Sequence, residues 1–359
     1  MSHTAELIRY LLNILKTALR LPINLGIHLI YLIPGLNTPA IPSIPDHLQD
    51  RECRFRLDND SSDTITLPDG RKLGYAQYGS LSETAKTVFF IHGLPGSRVE
   101  GTYLDDIGKK LGARIIASDR PGYGWSSPHP GRKLLDFPKD LECLAMQLGI
   151  REYAVVGVSG GGPYALACAA GSPPTKLKGV ALICGMGPPD IGMKGALLGH
   201  RTAFTGGWHI TPYFINRWFW RLEPNGRLEL SDKERMEMML KPSRLKGMPS
   251  QDIPIYKDVD VLSVMLRVGR EAFAQGYDHV LDDARLMCKD FGFQVKEIRK
   301  DLPVKLWYGK QDVFIPLAHG EQIAARLDGR ADLRVLDETH TSIFINHKES
   351  ALEDLLRIM

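Results

Sequence analysis

The chain has 359 residues, 43% hydrophobic and 24% charged, with 45 Lys and Arg against 42 Asp and Glu for a net charge of +3. That length buries a large core, either in one domain with an insertion or in two domains. The near-balance of charge, with no long Lys/Arg block, gives no footing for nucleic acid. Five cysteines without a CxxC pair argue against a disulfide framework or a zinc site.

Residues 5–21, "AELIRYLLNILKTALRL", place Leu7, Ile8, Leu11, Leu12, Ile14, Leu15, Ala18, Leu19 and Leu21 on one half of a helix, with Arg9, Asn13, Lys16 and Arg20 opposite. The next stretch, "LPINLGIHLIYLIPGL", is apolar but broken by Pro22, Asn24, Gly26 and His28, and is too short for a spanning helix. No secretory cleavage pattern stands out. Two readings of residues 5–36 stay open: a helical arm packed on the main domain, or a monotopic anchor lying in a membrane interface. Pro34, Pro39, Pro42 and Pro45 follow as a stiff linker. The reduced cysteines and this segment together predict an intracellular protein, cytoplasmic or peripherally attached to an internal membrane.

From residue 63 the pattern changes. "TITLPDGRKLGYAQYG" reads as two strands around an Asp69-Gly70 turn. "TVFFIHG" (87–93) is a buried strand, 99–112 a helix, "ARIIASD" a strand, 134–149 a helix and "EYAVVGVS" a strand; a helix opens near Gly161 and "LKGVALIC" is again a strand. An antiparallel start followed by this alternation predicts an α/β fold whose mostly parallel sheet is covered on both faces. The alternation then stops. Residues 186–298 read as mainly helical, with a capping box at Ser231 and Glu234 and a crowd of aromatics from Trp208 to Trp220. It resumes with "PVKLWYG" (303–309), a helix from 316, "ADLRVLD" and a last helix at 343–358. The expected organisation is an arm and linker (1–45), a first core part (46–185), a helical insertion (186–298) and a second core part (299–359).

In "VGVSGGGPYA" (156–165), Ser159 sits where a β-branched strand meets a helix, the setting in which G-x-S-x-G carries chemistry. The sharp turn needs small neighbours, which Gly157 and Gly161 provide. A plain glycine turn is the competing reading. A phosphate loop would need a following lysine, and none is present. A serine hydroxyl needs a base, and the base an orienting acid. Asp312 in "LWYGKQDVFIP" and His340 in "VLDETHTSIF" each follow a strand, 28 positions apart (340 − 312). Carboxyl ends of neighbouring parallel strands meet in space, so Ser159, Asp312 and His340 are expected to converge. Two N–H donors for an oxyanion are expected from Gly160 and, in "FFIHGLPGSR", from Leu94, with His92 supporting that loop. Tyr123 and Trp125 in "SDRPGYGWSSP", with Phe214 and Trp218 of the insertion, are candidates to line an apolar substrate pocket. The other reading of the insertion's aromatics is that they fasten it to the core.

"HGLPGS", "DRPGYGWS", "GVSGGGPYA", "LWYGKQDVFIP" and "ETHTSIF", in this order, resemble the α/β-hydrolase superfamily, in particular its cap-bearing branch of esterases and prolyl-aminopeptidase-like enzymes. The resemblance covers about residues 63–359. It implies Ser159 as nucleophile, His340 as base, Asp312 as acid, Leu94 and Gly160 as oxyanion donors, residues 186–298 as a lid, a small-molecule substrate, and neither metal nor organic cofactor. Some members carry the acid after the strand before the lid, where Asp190 is the candidate, ranked below Asp312. Thr339 stands where the family usually has glycine. A serine at 159 argues against epoxide hydrolases and haloalkane dehalogenases, which attack with aspartate. The leading expectation is hydrolysis of an ester, thioester or lactone of an apolar small molecule. C–C bond hydrolysis or lysis, aminopeptidase activity, and a ligand-binding receptor without turnover are the alternatives.

Overall fold

Strand β3 (Lys86–Ile91) shows how the core is divided. Its side chains alternate between faces, as strand geometry requires. Phe89 and Ile91 enter one apolar cluster, while Val88 and Phe90 enter another on the opposite side of the sheet. A strand buried on both faces reads as a continuous apolar run, which is why "TVFFI" shows no polar alternation. The computed structural model describes residues 52–359. The arm at 5–36 and the linker lie outside the described residues.

The eight strands form one sheet in the order β1-β2-β4-β3-β5-β6-β7-β8, with β1 (Ser62–Thr66), β2 (Lys72–Gly79), β4 (Ala113–Ser118), β5 (Tyr153–Val158), β6 (Leu177–Ile183), β7 (Val304–Gly309) and β8 (Asp332–Leu336). β1–β2 and β2–β4 are antiparallel and every other pairing is parallel. α1 (Asp105–Leu111), α2 (Phe137–Gln147), α3 (Gly162–Gly171), α12 (Ala318–Arg326) and α13 (His340–Arg357) belong to the sheet unit. The 99–112 helix is split: a 3₁₀ segment (Arg98–Leu104) precedes α1. Leu355 and Phe344 of α13 join the Val88 cluster, and Leu141 of α2 and Leu166 of α3 join the Phe89 cluster, so helices cover both faces.

Between β6 and β7 no strand occurs among the described residues. The chain runs through α4 (Leu198–Thr202), α5 (Trp208–Ile210), α6 (Tyr213–Leu222), α7 (Asp232–Met239), α8 (Pro242–Leu245), α9 (Asp252–Lys257), α10 (Val259–Ala272) and α11 (Asp278–Met287). The Ser231–Glu234 capping box opens α7. The last helix starts three residues earlier than its apolar pattern predicts. Thr339 caps it, accepting from the Ser342 N–H at 3.1 Å, and His340 is therefore its first residue. No helix among the described residues is long and apolar enough to cross a membrane.

Candidate functional site

The parallel order β3-β5-β6-β7-β8 brings the loops after these strands to one edge of the sheet. Ser159 follows β5 and has φ 53°, a left-handed conformation rare outside glycine. Such strain persists only where the surroundings enforce it. The glycines supply the enforcement. A Cβ on Gly161 would overlap the Ile91 carbonyl oxygen, one on Gly157 would lie 2.8 Å from the Ala165 Cβ, and one on Gly162 would lie 2.6 Å from the Met186 nitrogen. Gly162, for which the sequence offers no role, thus lets α3 close against the loop after β6. Gly161→Val should cost more than the ~1–3 kcal/mol typical of overpacking, because the obstructing atom is backbone. A urea midpoint unchanged from wild type would show that the turn relaxes.

The Ser159 hydroxyl lies 2.9 Å from His340 Nε2, and His340 Nδ1 lies 2.7 Å from Asp312 Oδ2. Asp312 Oδ1 accepts the Phe314 and Ile315 N–H groups, both at 2.8 Å, so the carboxylate is held at both oxygens. Burial disfavours an imidazolium at 340, yet the net direction is well above the usual histidine value. Cys184, beside His340, is itself pushed up by burial and stays a neutral thiol, so the Asp312 carboxylate carries that shift. Cys184 Sγ, Asp312 and His340 lie within 4.8 Å of one another. Both imidazole nitrogens and the Asp312 oxygens already have partners, and the thiol donates to the His340 carbonyl at 3.6 Å, so the cluster reads as a hydrogen-bonded chain. Asp190 sits elsewhere, exposed and paired with Arg326 at 2.8 and 3.0 Å.

The loop after β3 stands beside this chain, since Ile91 pairs with Gly157. The Leu94 nitrogen lies 3.1 Å from where a Gly160 Cβ would be. The Leu94 N–H donates to nothing among the described residues, and the Gly160 N–H stands in a first helical turn, where such groups lack intrahelical acceptors. His92 is fully buried. Its Nε2 accepts the Arg120 N–H at 3.2 Å, so Nδ1 carries the proton and donates to the Gly93 carbonyl at 2.9 Å. Burial, then Arg120, holds it well below the usual histidine value, in its neutral form. His92 braces the loop.

Two groups at this edge carry no sequence signal. Glu100 Oε2 accepts the Gly93 N–H at 3.1 Å. Burial pushes its carboxyl up to about 7, against the opposing pull of that N–H, Arg120 and His340. A carboxyl raised from 4.5 contributes stability that is whole below pH 4.5 and is lost as pH rises through about 7. Glu100→Gln should therefore flatten the pH dependence of the urea midpoint across that window; parallel curves for the two proteins would refute this. The second group is Asp283 of α11, fully buried, which accepts from Arg120 Nε at 2.9 Å, Arg132 Nη2 at 3.0 Å and the Tyr123 hydroxyl at 3.1 Å, as well as from the Tyr164 hydroxyl. Burial would raise it, but Arg120 and Arg132 outweigh burial and hold it at about 2.

The four pocket candidates are placed differently from the expectation. Tyr123 is fully buried, and its hydroxyl donates to Asp283. The Trp125 ring lies under the Arg98 guanidinium, 4.0 Å from it, and the Trp125 backbone N–H donates to Asp119. Phe214 and Trp218 are 66% and 48% exposed on α6, so neither is enclosed in a pocket wall. Their apolar character misleads because an amphipathic helix is assumed to turn its apolar face inward. Nearest the triad, the Phe314 ring lies 5.4 Å from His340 and 5.3 Å from His200, which the sequence did not single out. A cleft of about 650 Å³ bordered by Arg54, Arg56 and Asp105 lies apart from Ser159 and shares no residue with this chain of groups.

A parallel sheet with a strained serine at the turn after its central strand, and an acid and a histidine after later strands, has the architecture of an α/β hydrolase. A family model for the alpha/beta hydrolase fold matches residues 86–346. The chain belongs to that family. Solved structures share the fold at low identity. A putative aryl esterase from Burkholderia cenocepacia is 19% identical, covering 83% of this chain and 98% of its own, with TM-score 0.57. A structure from a study of carboxylesterases of the thaumarchaeon Nitrososphaera gargenis is 17% identical, covering 82% and 96%, with TM-score 0.57. The enol-lactonase from Burkholderia xenovorans is 17% identical, covering 82% and 99%, with TM-score 0.53. At these identities the likeness speaks for the fold alone. A search of curated proteins finds no match.

Proposed function

We propose that the chain is a serine hydrolase that cleaves an ester, thioester or lactone of an apolar small molecule through an acyl-enzyme. The observation that carries this is the unbroken chain Ser159 Oγ, His340 Nε2, His340 Nδ1, Asp312 Oδ2, with spacings of 2.9 and 2.7 Å. Such spacings suit transfer of the serine proton to the imidazole as the oxygen attacks the carbonyl. Asp312 fixes the tautomer, leaving Nε2 free to accept, and stabilises the imidazolium that forms. The N–H groups of Leu94 and Gly160 then face the developing oxyanion. His340 returns the proton to the leaving group, and water attacks the acyl-serine by the same route. The helical insertion acts as the lid. Asp252 of α9 accepts from the Thr339 hydroxyl, tying the insertion to the turn that carries His340.

A fluorophosphonate probe tests the nucleophile: the wild type should be labelled and Ser159→Ala should not. Absence of label on the wild type favours the receptor without turnover. A panel of p-nitrophenyl esters, lactones, amides and C–C substrates tests the reaction. Butyrate and longer esters should be preferred to acetate; turnover of amides or diketones alone would replace the ester reading with the peptidase or C–C one.

A further inference from the structure

The exposed apolar side chains of this protein are concentrated. Of the eleven large exposed hydrophobics among the described residues, eight lie between Leu197 and Phe219, and a ninth, Phe314, touches His200 beside them. α6, "YFINRWFWRL", has a single buried residue, Asn216, which donates to the Tyr277 carbonyl at 2.8 Å. Trp220 packs inward on Phe273, whereas Phe214, Ile215, Trp218 and Phe219 face outward, next to Ile210 at 83% exposure. The helix therefore carries apolar side chains on its outer face as well as on its inner one, unlike an ordinary amphipathic surface helix. An exposed apolar patch of this kind marks an interaction surface.

Charge selects the occupant. Residues 191–222 contain Lys194, Arg201, Arg217 and Arg221 and no Asp or Glu. Arg217 is paired with Asp278 of α11, and Asp282 of the same helix is held by the Tyr213 hydroxyl. Lys194, Arg201 and Arg221 are exposed and make no ion pair among the described residues; Arg221 lies over the Tyr277 ring at 5.7 Å. A second copy docked face to face would oppose these cations to their own image. The chain's own residues 5–36, with Arg9, Lys16 and Arg20 against Glu6, carry the same sign. An exposed stretch that combines Trp and Phe with Arg and carries no acid suits a surface with an apolar interior and anionic headgroups.

We propose that the outer face of α4 to α6 docks on an anionic lipid bilayer surface. Phe214, Trp218 and Ile210 enter the headgroup boundary, and Arg201 and Arg221 meet the phosphates. Because Phe314 bridges this face to His340, docking places the site edge at the lipid surface. The docking does not depend on the proposed chemistry, and it is read without any activity measurement.

The test is cosedimentation of the full chain with phosphatidylcholine–phosphatidylserine vesicles, with pure phosphatidylcholine for comparison. Wild type should sediment with the anionic vesicles. Leu198→Glu/Ile210→Glu, at exposed positions, should lower partitioning about tenfold or more, with the thermal melt unchanged. Arg201→Ala/Arg221→Ala should lower it about thirtyfold on the anionic vesicles and little on the neutral ones. Failure of the wild type to bind overturns the proposal. So does wild-type binding by both variants while Leu11→Glu/Leu15→Glu abolishes it, which assigns the contact to residues 5–21. A wild-type dimer that Leu198→Glu/Ile210→Glu splits, with no vesicle binding, overturns it in favour of a second copy.

Discussion

Ser159→Ala should lower kcat by about 10⁴- to 10⁶-fold and leave the urea midpoint within ~1 kcal/mol of wild type. The hydroxyl sits at the site edge and its one hydrogen bond among the described residues is to His340, so its loss leaves no deep cavity. His340→Ala should cost a similar factor, and the double variant should be no worse than either single one, because the two side chains act as a unit. Asp312→Asn should cost about 10⁴-fold. It also has a signature in pH. Asp312 holds the imidazole well above its usual value, so the wild-type rate should fall as pH drops through a pKa above 6.5. Asparagine should move that fall to lower pH. Additive losses in the double variant, or an unmoved pH profile in Asp312→Asn, would show that the three groups do not work together.

Ser159, Asp312 and His340 were legible because residue type and strand-end placement are both written locally. "AVVGVSGGG" states a buried strand and its turn within nine residues, and "LWYGKQD" and "RVLDETH" do the same. The sheet then brings these strand ends together without further instruction. The break in alternation at Cys184 likewise marked the helical insertion. What could not be read was orientation and long-range pairing. The start of α13 was misplaced because Thr339 caps it through its hydroxyl, whereas the apolar pattern begins only at Ile343. The outward face of α6 was invisible because hydrophobic spacing gives a stripe and not its direction. Glu100 looked like an ordinary polar position on a helix, since only the fold sets it against the Gly93 N–H. Asp283 had no local signal at all: Arg120 and Arg132 lie 163 and 151 residues before it.

Asp283→Ala should produce the largest loss of stability of any single change considered. It would leave the Arg120 guanidinium, fully buried, without its carboxylate, and Arg132, nearly so, without its own. Removing one partner of a buried ion pair costs about 3–5 kcal/mol, because the remaining charge has no water to turn to. Here two cations share the one anion, and the Tyr123 and Tyr164 hydroxyls also lose their acceptor. Asp283→Asn should cost less, since an amide oxygen still accepts from the tyrosines while the charge is gone. The effect should reach turnover as well. Arg120 donates to the carbonyls of His92 and, at 2.8 Å, Gly93, the two residues before Leu94. Asp283 on the insertion therefore positions, through Arg120, the loop that offers the Leu94 N–H to an oxyanion. A loosened loop weakens an interaction strongest in the transition state, so kcat should fall more than KM rises. Denaturant midpoints and the split between kcat and KM, measured on both variants below their unfolding range, separate the two contributions. A lowered midpoint with unchanged kcat would mean that Asp283 only fastens the insertion to the sheet.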